Sequence, residues 1–99
     1  MKEIKKEDRN ENLIKELLKV WENAVRATHE FLSNEEILEI KKYVPEALSG
    51  ISHLIIDTDK NEKPIAFMGI ENNKLEMLFI TSECRGKGIG KKMLLHGIK

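Results

Sequence analysis

The sequence predicts one small α+β domain, in which two helices precede a mainly antiparallel sheet and a third helix follows it. Three observations support this prediction. Residues 11–44 carry apolar side chains at helical spacing, and residues 52–81 form three short apolar runs separated by turn residues. A glycine-rich segment, residues 85–90, then lies directly before a last helical pattern. The predicted order is therefore β-α-α-β-β-β-α over all 99 residues.

The N-terminal segment combines a weak strand pattern with a strong helical one. Lys2–Lys6 is predicted as a short edge strand, with Ile4 as its one apolar residue. Asp8-Arg9-Asn10-Glu11 has the form of a capping box, so a first helix is expected from there to about residue 29. The residues at helical spacing are Leu13, Leu17, Trp21, Ala24 and Thr28, flanked by Ile14, Leu18, Val20 and Val25.

A second helix is expected after a second capping box, Ser33-Asn34-Glu35-Glu36. Ile37, Ile40 and Val44 fall on one face of this helix. The ring of Pro45 crowds the preceding residue out of the α region. The second helix should therefore end or kink there.

Three strands are predicted after residue 52. The apolar runs are Leu54–Ile56, Pro64–Ile70 and Leu75–Ile80. A turn-rich stretch, Asp57–Asn61, separates the first two, and Asn72-Asn73 makes a tight turn before the third because Asn tolerates positive φ. Two successive hairpins predict an antiparallel meander.

Composition restricts the classes of function. No apolar run approaches the roughly 18–20 residues of a membrane span, and the N-terminus lacks the apolar stretch of a signal peptide. A cytoplasmic location follows by elimination. The single cysteine, Cys84, cannot form an internal disulfide, and no Cys/His spacing suggests a metal site.

Charge is distributed unevenly along the chain. Residues 1–83 carry 12 basic and 17 acidic side chains, whereas residues 84–99 carry five basic side chains and no acidic one. A short basic segment on an acidic body suits a small polyanion better than nucleic acid, which favours a broad basic face. On charge alone, an ordinary solvated helix face explains these lysines equally well.

The glycine-rich segment favours phosphate binding. Gly86, Gly88 and Gly90 let the backbone approach a ligand closely, and the helix that follows contributes free N–H donors and the positive end of its dipole. A P-loop would need glycine at position 85 and Ser or Thr at position 92, where the chain has Arg85 and Lys92. A dinucleotide fingerprint would need a third glycine at position 91 and a βαβ unit, and both are absent from the sequence pattern.

The segment resembles the Arg/Gln-x-x-Gly-x-Gly/Ala motif of the GNAT superfamily of N-acetyltransferases, through Arg85, Gly88 and Gly90. Leu75–Ile80 is similar to the fourth strand of that family, and Gly90–Leu95 to the start of its third helix. The predicted order of elements matches the family's first seven elements over essentially the whole chain.

The resemblance implies an acetyl-CoA site. The loop amides would bind the pyrophosphate of coenzyme A, and the fourth strand would pair with pantetheine and supply an oxyanion-binding N–H. The implied cofactor-binding residues are Leu78, Phe79, Ile80, Arg85, Gly86, Lys87, Gly88, Ile89, Gly90 and Lys91.

The resemblance also suggests catalytic and acceptor residues. A lysine-like amine has a pKa of about 10, so it must lose a proton before it attacks. Glu76 is the candidate general base that would take this proton. The alternative is an ordinary strand glutamate. Strand alternation places Glu76 with Leu78 and Ile80, where it would be partly buried. The residues that would wall the acceptor pocket are Arg26, Thr28, His29 and Phe31.

The resemblance covers only the front of the family fold, so one incomplete domain, residues 1–99, is expected, with the C-terminal half of the fold missing. The implied function is transfer of an acetyl group from acetyl-CoA to a primary amine of a small molecule or protein. The alternative is a coenzyme A-binding or dimerising fragment without turnover. The exposed fourth strand could then pair with a second copy to form a homodimer.

Overall fold

A computed structural model describes residues 1–28, 32–84 and 86–98 of the chain. The strands of its antiparallel sheet lie in the order β1-β2-β3-β4, with bounds Lys2–Glu3, His53–Thr58, Pro64–Glu71 and Lys74–Ile80. The helices α1, α2, α3 and α4 are Glu11–Thr28, Asn34–Lys41, Val44–Gly50 and Ile89–Ile98. Short 3₁₀ turns occur at Lys6–Asp8 and Ser82–Cys84.

The predicted antiparallel meander is confirmed. Strand β2 pairs with β3, and β3 pairs with β4, both antiparallel. Asn72 and Asn73 have φ values of 51° and 64°, the left-handed conformation that a two-residue hairpin turn requires. The edge strand is also confirmed, although β1 is shorter than predicted and pairs with β2 only through Lys2 and Glu3.

The first helix begins differently from the prediction. Asp8 lies in a 3₁₀ turn, and Asn10 Oδ1 accepts a hydrogen bond of 2.8 Å from the N–H of Leu13. The Asn10 carbonyl also accepts the N–H of Ile14. The predicted capping box at Asp8 is therefore wrong, because a nearer side chain, Asn10, satisfies the helix N-terminus.

The second capping box is confirmed. Ser33 Oγ accepts the N–H of Glu36, and the Glu36 carboxylate accepts the N–H of Ser33. Helix α2 ends at Lys41, and Pro45 lies in the first turn of α3, where its missing N–H costs nothing. Ile37 is buried, but Ile40 is 43% exposed. The common apolar face predicted for these residues is therefore wrong for Ile40, because Val44 belongs to α3 rather than to α2, whose one buried residue is Ile37.

The sheet separates two apolar clusters. Helices α1, α2 and α3 pack on one face, where the fully buried residues are Leu17, Leu48, Leu54 and Phe67. Helix α4 packs on the other face, where Met93 contacts a cluster of Ile55, Ala66 and Met68. Successive residues of β2 and β3 alternate between these clusters, as strand geometry requires. The sheet is thus covered on both sides near the end of β4.

A buried arginine, which the sequence analysis did not single out, joins three segments. Arg9 is 8% exposed, and its guanidinium donates to the carbonyls of Ile4, Leu48, Ser49 and Ile51. These bonds satisfy carbonyl groups at the C-terminal end of α3. Burial lowers the pKa of Arg9 from its usual range, and the nearby Glu3 opposes that effect. The guanidinium still stays charged, since arginine deprotonates only far above neutral pH.

Glu22 connects α1 to α2. Its carboxylate accepts hydrogen bonds from Lys41 Nζ and, at 2.8 Å, from Arg26 Nε. Hydrogen bonds from Lys41 and Arg26 hold the pKa of Glu22 below its usual range. The ionised carboxylate is therefore the form that the fold stabilises.

We expect Glu22→Gln to lower the free energy of unfolding at pH 7 by about 0.5–1 kcal/mol, the upper range for partly exposed ion pairs. Because the folded-state pKa is lowered, this contribution is complete above the usual carboxyl pKa of about 4 and disappears as the pH falls through the lowered value. Urea unfolding of both proteins at pH 7 and pH 3 measures the difference, with the exposed Glu46→Gln as control. A difference that grows on acidification would contradict this linkage.

Candidate active site

The glycine loop, residues 85–90, follows the 3₁₀ turn after β4 in the sequence, and its last two residues, Ile89 and Gly90, are the first two of α4. Gly86 and Gly88 have φ values of +81° and +76°, a left-handed conformation that glycine adopts without strain. A Cβ atom placed on either residue would meet no atom within 4 Å, so the backbone faces open space. The predicted contact residue Arg85 lies outside the described residues.

Helix α4 directs free donors toward the same region. Its first intrahelical hydrogen bond runs from the N–H of Lys92 to the carbonyl of Gly88, at 3.1 Å. The N–H groups of Ile89, Gly90 and Lys91 precede that bond, so they have no carbonyl acceptor within the helix. Lys87 and Lys91 are exposed beside them. Backbone donors, a helix dipole and two ammonium groups together favour a phosphate group here.

The three predicted strand residues lie at the end of β4 next to this loop. Leu78, Phe79 and Ile80 are half-buried and pair with Met68, Phe67 and Ala66 of β3. Phe79 packs against Phe67 with ring centroids 5.5 Å apart, whereas Leu78 and Ile80 face the α4 cluster. Because β4 is last in the sheet order, its other edge has no strand partner within the described chain.

The start of α4 fits tightly against that strand. A Cβ atom on Gly90 would lie 3.2 Å from Ile80 Cδ1, closer than an ordinary van der Waals contact. The third glycine of the loop thus allows close helix–strand packing rather than an unusual backbone angle. The start of α4 therefore lies close against the end of β4.

Glu76 lies in a β-bulge, which the sequence pattern did not reveal. Gly69 pairs with Met77, and the next residue, Ile70, pairs with Leu75, so Glu76 is one extra residue in β4. The bulge interrupts the alternation that placed Glu76 with Leu78 and Ile80. Glu76 is exposed, and the expectation of partial burial is therefore wrong.

Glu76 lines a shallow depression of about 440 Å³ on the α3 side of the sheet. The other lining residues are Ala47, Gly50, Ile51, Glu71 and Met77. Among the described residues, nothing forms a hydrogen bond or ion pair with the Glu76 carboxylate. The bulge thus presents an unengaged carboxylate to solvent at the middle of the edge strand.

Glu71 is a second carboxylate in this depression, and the sequence analysis did not find it. Ser52 donates to it through its hydroxyl and, at 3.0 Å, through its N–H. These hydrogen bonds from Ser52 hold the pKa of Glu71 below its usual range. Only the hairpin pairing brings positions 52 and 71 together, so no local sequence signal was available.

The predicted acceptor residues are only partly described. Arg26 is held by Glu22 and by Asn34 Oδ1, the latter at 2.8 Å, and Thr28 Oγ1 donates to the Ala24 carbonyl. These contacts give both side chains structural roles at the end of α1. His29 and Phe31 lie outside the described residues, and acceptor binding by all four remains a prediction.

Comparison with solved structures gives the class of the fold. The solution structure of apo-form YjaB from Escherichia coli superposes with a TM-score of 0.79 and 28% identity, covering 98% of this chain and 62% of that one. A crystal structure of an aminoglycoside 6'-N-acetyltransferase complexed with coenzyme A superposes with a TM-score of 0.61 at 17% identity, which is likeness of fold alone. It covers 97% of this chain and 52% of that one. The fold implied by the resemblance to the GNAT acetyltransferases is therefore confirmed.

Sequence comparison gives more particular relatives. Peptidyl-lysine N-acetyltransferase YjaB of Salmonella typhimurium is 35% identical over 82 residues, which cover 83% of this chain and 56% of the relative. The Escherichia coli K12 protein of the same name is 31% identical over 87 residues, 84% of this chain and 56% of the relative. The chain thus spans a little over half the length of these relatives. No family model matches the chain.

Within the described ranges, no group of three or more His, Cys, Asp or Glu side chains is arranged to hold a metal ion. None of the helices in those ranges has the length and apolar character needed to cross a membrane.

Proposed function

We propose that this chain carries the donor-binding part of an N-acetyltransferase, which transfers the acetyl group of acetyl-CoA to a primary amine. The observation that carries the proposal is the glycine loop. Two left-handed glycines and the free N–H groups of α4 lie at the end of an edge strand. Pyrophosphate fits the loop, and an extended pantetheine arm fits the unpaired edge of β4.

The residues proposed to bind the donor act mainly through their backbones. Gly86, Lys87, Gly88, Ile89, Gly90 and Lys91 would contact the pyrophosphate together with Arg85. Leu78 and Ile80, on either side of Phe79, would present N–H and C=O groups to pantetheine at the free edge of β4, and one of these N–H groups would stabilise the oxyanion. The amine nitrogen attacks the thioester carbonyl, so that a C–N bond forms and the C–S bond breaks. Coenzyme A leaves as the thiolate.

Glu76 is proposed as the general base, directly or through one water molecule. Its carboxylate is exposed and unengaged among the described residues, and the bulge places it on the same strand as the proposed oxyanion donors. A protonated amine in the depression would also be attracted by the ionised Glu71. We propose a lysine side chain of a protein as the acceptor, because both named sequence relatives are peptidyl-lysine N-acetyltransferases.

We expect Glu76→Gln to lower the rate of lysine acetylation by about 100-fold, the lower end of the range for loss of a general base. The glutamine keeps the size of the side chain but cannot accept the proton, so acetyl-CoA affinity should be unchanged. Mass spectrometry of a lysine peptide incubated with acetyl-CoA measures the rate as a function of pH.

Glu46→Gln is the matched control, since Glu46 is exposed on α3 and lines neither the loop nor the depression. An unchanged rate and pH profile in Glu76→Gln would contradict the role of general base and would mean that Glu76 is an ordinary solvent-exposed strand glutamate. An equal loss in Glu46→Gln would instead indicate a general effect of charge.

A dimerising role is a second candidate, and the unpaired edge of β4 favours it. Exposed backbone donors and acceptors on an edge strand are satisfied most simply by another strand. A homodimer through β4 is therefore proposed for these 99 residues. A cytoplasmic location, expected from the sequence, also remains a proposal.

A further inference from the structure

One long-range hydrogen bond connects the start of the loop region to the opposite layer of the fold. The N–H of Ser82 donates to Asn23 Oδ1 at 2.7 Å, across 59 positions in the chain. Ser82 opens the 3₁₀ turn between β4 and the glycine loop, and Asn23 lies within α1. The contact therefore joins the segment before the loop to a helix that packs on the other side of the sheet from α4.

Asn23 is placed on a rigid support. Its neighbours on the helix, Trp21 and Ala24, are each 5% exposed and belong to the packed face of α1. Asparagine is a poor residue for a helix interior, since its side chain competes for backbone hydrogen bonds. Here the side chain accepts a bond from outside the helix, which gives the residue a specific use.

The rest of the turn offers no substitute for this contact. The N–H of Thr81 pairs with the carbonyl of Ile65, and the N–H of Cys84 closes the turn on the carbonyl of Thr81. Thr81 Oγ1 is buried and has no hydrogen-bond partner in the described part of the chain. The Asn23 carbonyl oxygen is thus the one side-chain acceptor described for the 3₁₀ turn.

We propose that Asn23 is a positioning residue for the glycine loop. By fixing Ser82, it sets where the chain leaves β4 and hence where the N–H groups of Gly86 and Gly88 point relative to the start of α4. This inference rests on the proposed function, because it assumes that the loop binds the pyrophosphate of coenzyme A. Asn23 does not itself contact the ligand. It acts through the backbone of Ser82, which comes before the proposed ligand-binding residues in the chain.

The test uses Asn23→Leu, which keeps the size of the side chain but removes the acceptor, and Asn23→Asp, which keeps an acceptor oxygen. Asn12→Leu, an exposed position on the same helix, is the matched control. The first readout is amide hydrogen exchange of Ser82, Gly86 and Gly88 by NMR without ligand. The second is the Kd for acetyl-CoA from an NMR titration.

In Asn23→Leu we expect two quantities to rise about 3- to 10-fold each, the range for one neutral hydrogen bond. They are the hydrogen-exchange rate of the Ser82 amide and the Kd for acetyl-CoA. Asn23→Asp should restore protection of Ser82, and the thermal midpoint of each variant should stay near that of Asn12→Leu. A merely structural role would lower the midpoint without a selective change at Ser82.

The outcomes separate the two proposals. Unchanged protection of the Ser82 amide in Asn23→Leu would contradict the hydrogen bond between Ser82 and Asn23, whatever the Kd for acetyl-CoA. Lost protection with an unchanged Kd would overturn the positioning role while leaving the donor site intact. Failure of the unmodified chain to bind acetyl-CoA would contradict the proposed function, and the positioning role with it. Loss of Ser82 protection in Asn23→Leu would still establish the hydrogen bond between Ser82 and Asn23.

Discussion

Replacing Gly88 with glutamate is expected to abolish detectable binding of coenzyme A to this chain. Gly88 has a φ of +76°, and its Cα faces open space at the N-terminus of α4. A glutamate there adds a negative charge where phosphate would bind and places a side chain in the space the ligand needs. The left-handed backbone also costs a non-glycine residue about 1–2 kcal/mol.

The expected loss of affinity is at least about 100-fold, and protein-detected NMR titration with coenzyme A measures it. The fold itself should survive, because a Cβ at position 88 meets no atom within 4 Å. Dispersed amide signals from β2 and β3 would verify this for each variant.

Two control variants separate charge from backbone strain. Gly88→Asn tolerates the left-handed conformation without adding charge, so it should retain most of the affinity. Asn12→Glu adds the same charge at an exposed position near the start of α1. Unchanged affinity in Gly88→Glu would refute the assignment of the glycine loop to pyrophosphate. An equal loss in Asn12→Glu would indicate repulsion by net charge rather than a local site.

The local patterns predicted the elements well because each depends on neighbours in sequence. The apolar spacing of α1 and the Asn72-Asn73 turn each determine one element and the direction in which the chain leaves it. Three glycines between a strand and a helix likewise indicate an anion site before any tertiary contact is known. The meander then follows, since two successive hairpins place the three strands side by side in chain order.

The features that the sequence could not reveal all depend on distant partners. The bulge at Glu76 is a property of the register between β3 and β4, and strand alternation alone predicts the wrong face for that residue. Arg9 is buried because carbonyl groups near residue 50 need donors. Asn23 reads as one more polar position on α1 until Ser82 is known to lie against it.

Acetyl transfer by these 99 residues acting alone is expected to be slower than about 1 s⁻¹, the lower end of usual enzyme turnover. The proposed donor site has one side only among the described residues, made of the glycine loop and β4. Phosphate contacts on an open surface are screened by salt, so they bind weakly. The thioester must also be held about 3–3.5 Å from the amine, and an edge strand without an opposing wall does not restrict the pantetheine arm to that geometry.

The unpaired edge of β4 should bind another copy of the chain instead, most simply through β4 of both copies across a two-fold axis. Light scattering over a range of concentrations measures the oligomeric state, and a panel of amines with acetyl-CoA measures turnover on the same sample. Leu75→Lys offers a control, because Leu75 is 47% exposed on β4 and a lysine on an edge strand disfavours pairing with a second copy. This variant should be more monomeric than the original chain, and its turnover should be no faster. A clean monomer that turns over at about 1 s⁻¹ or faster would mean that the loop, β4 and Glu76 suffice for catalysis without a second wall.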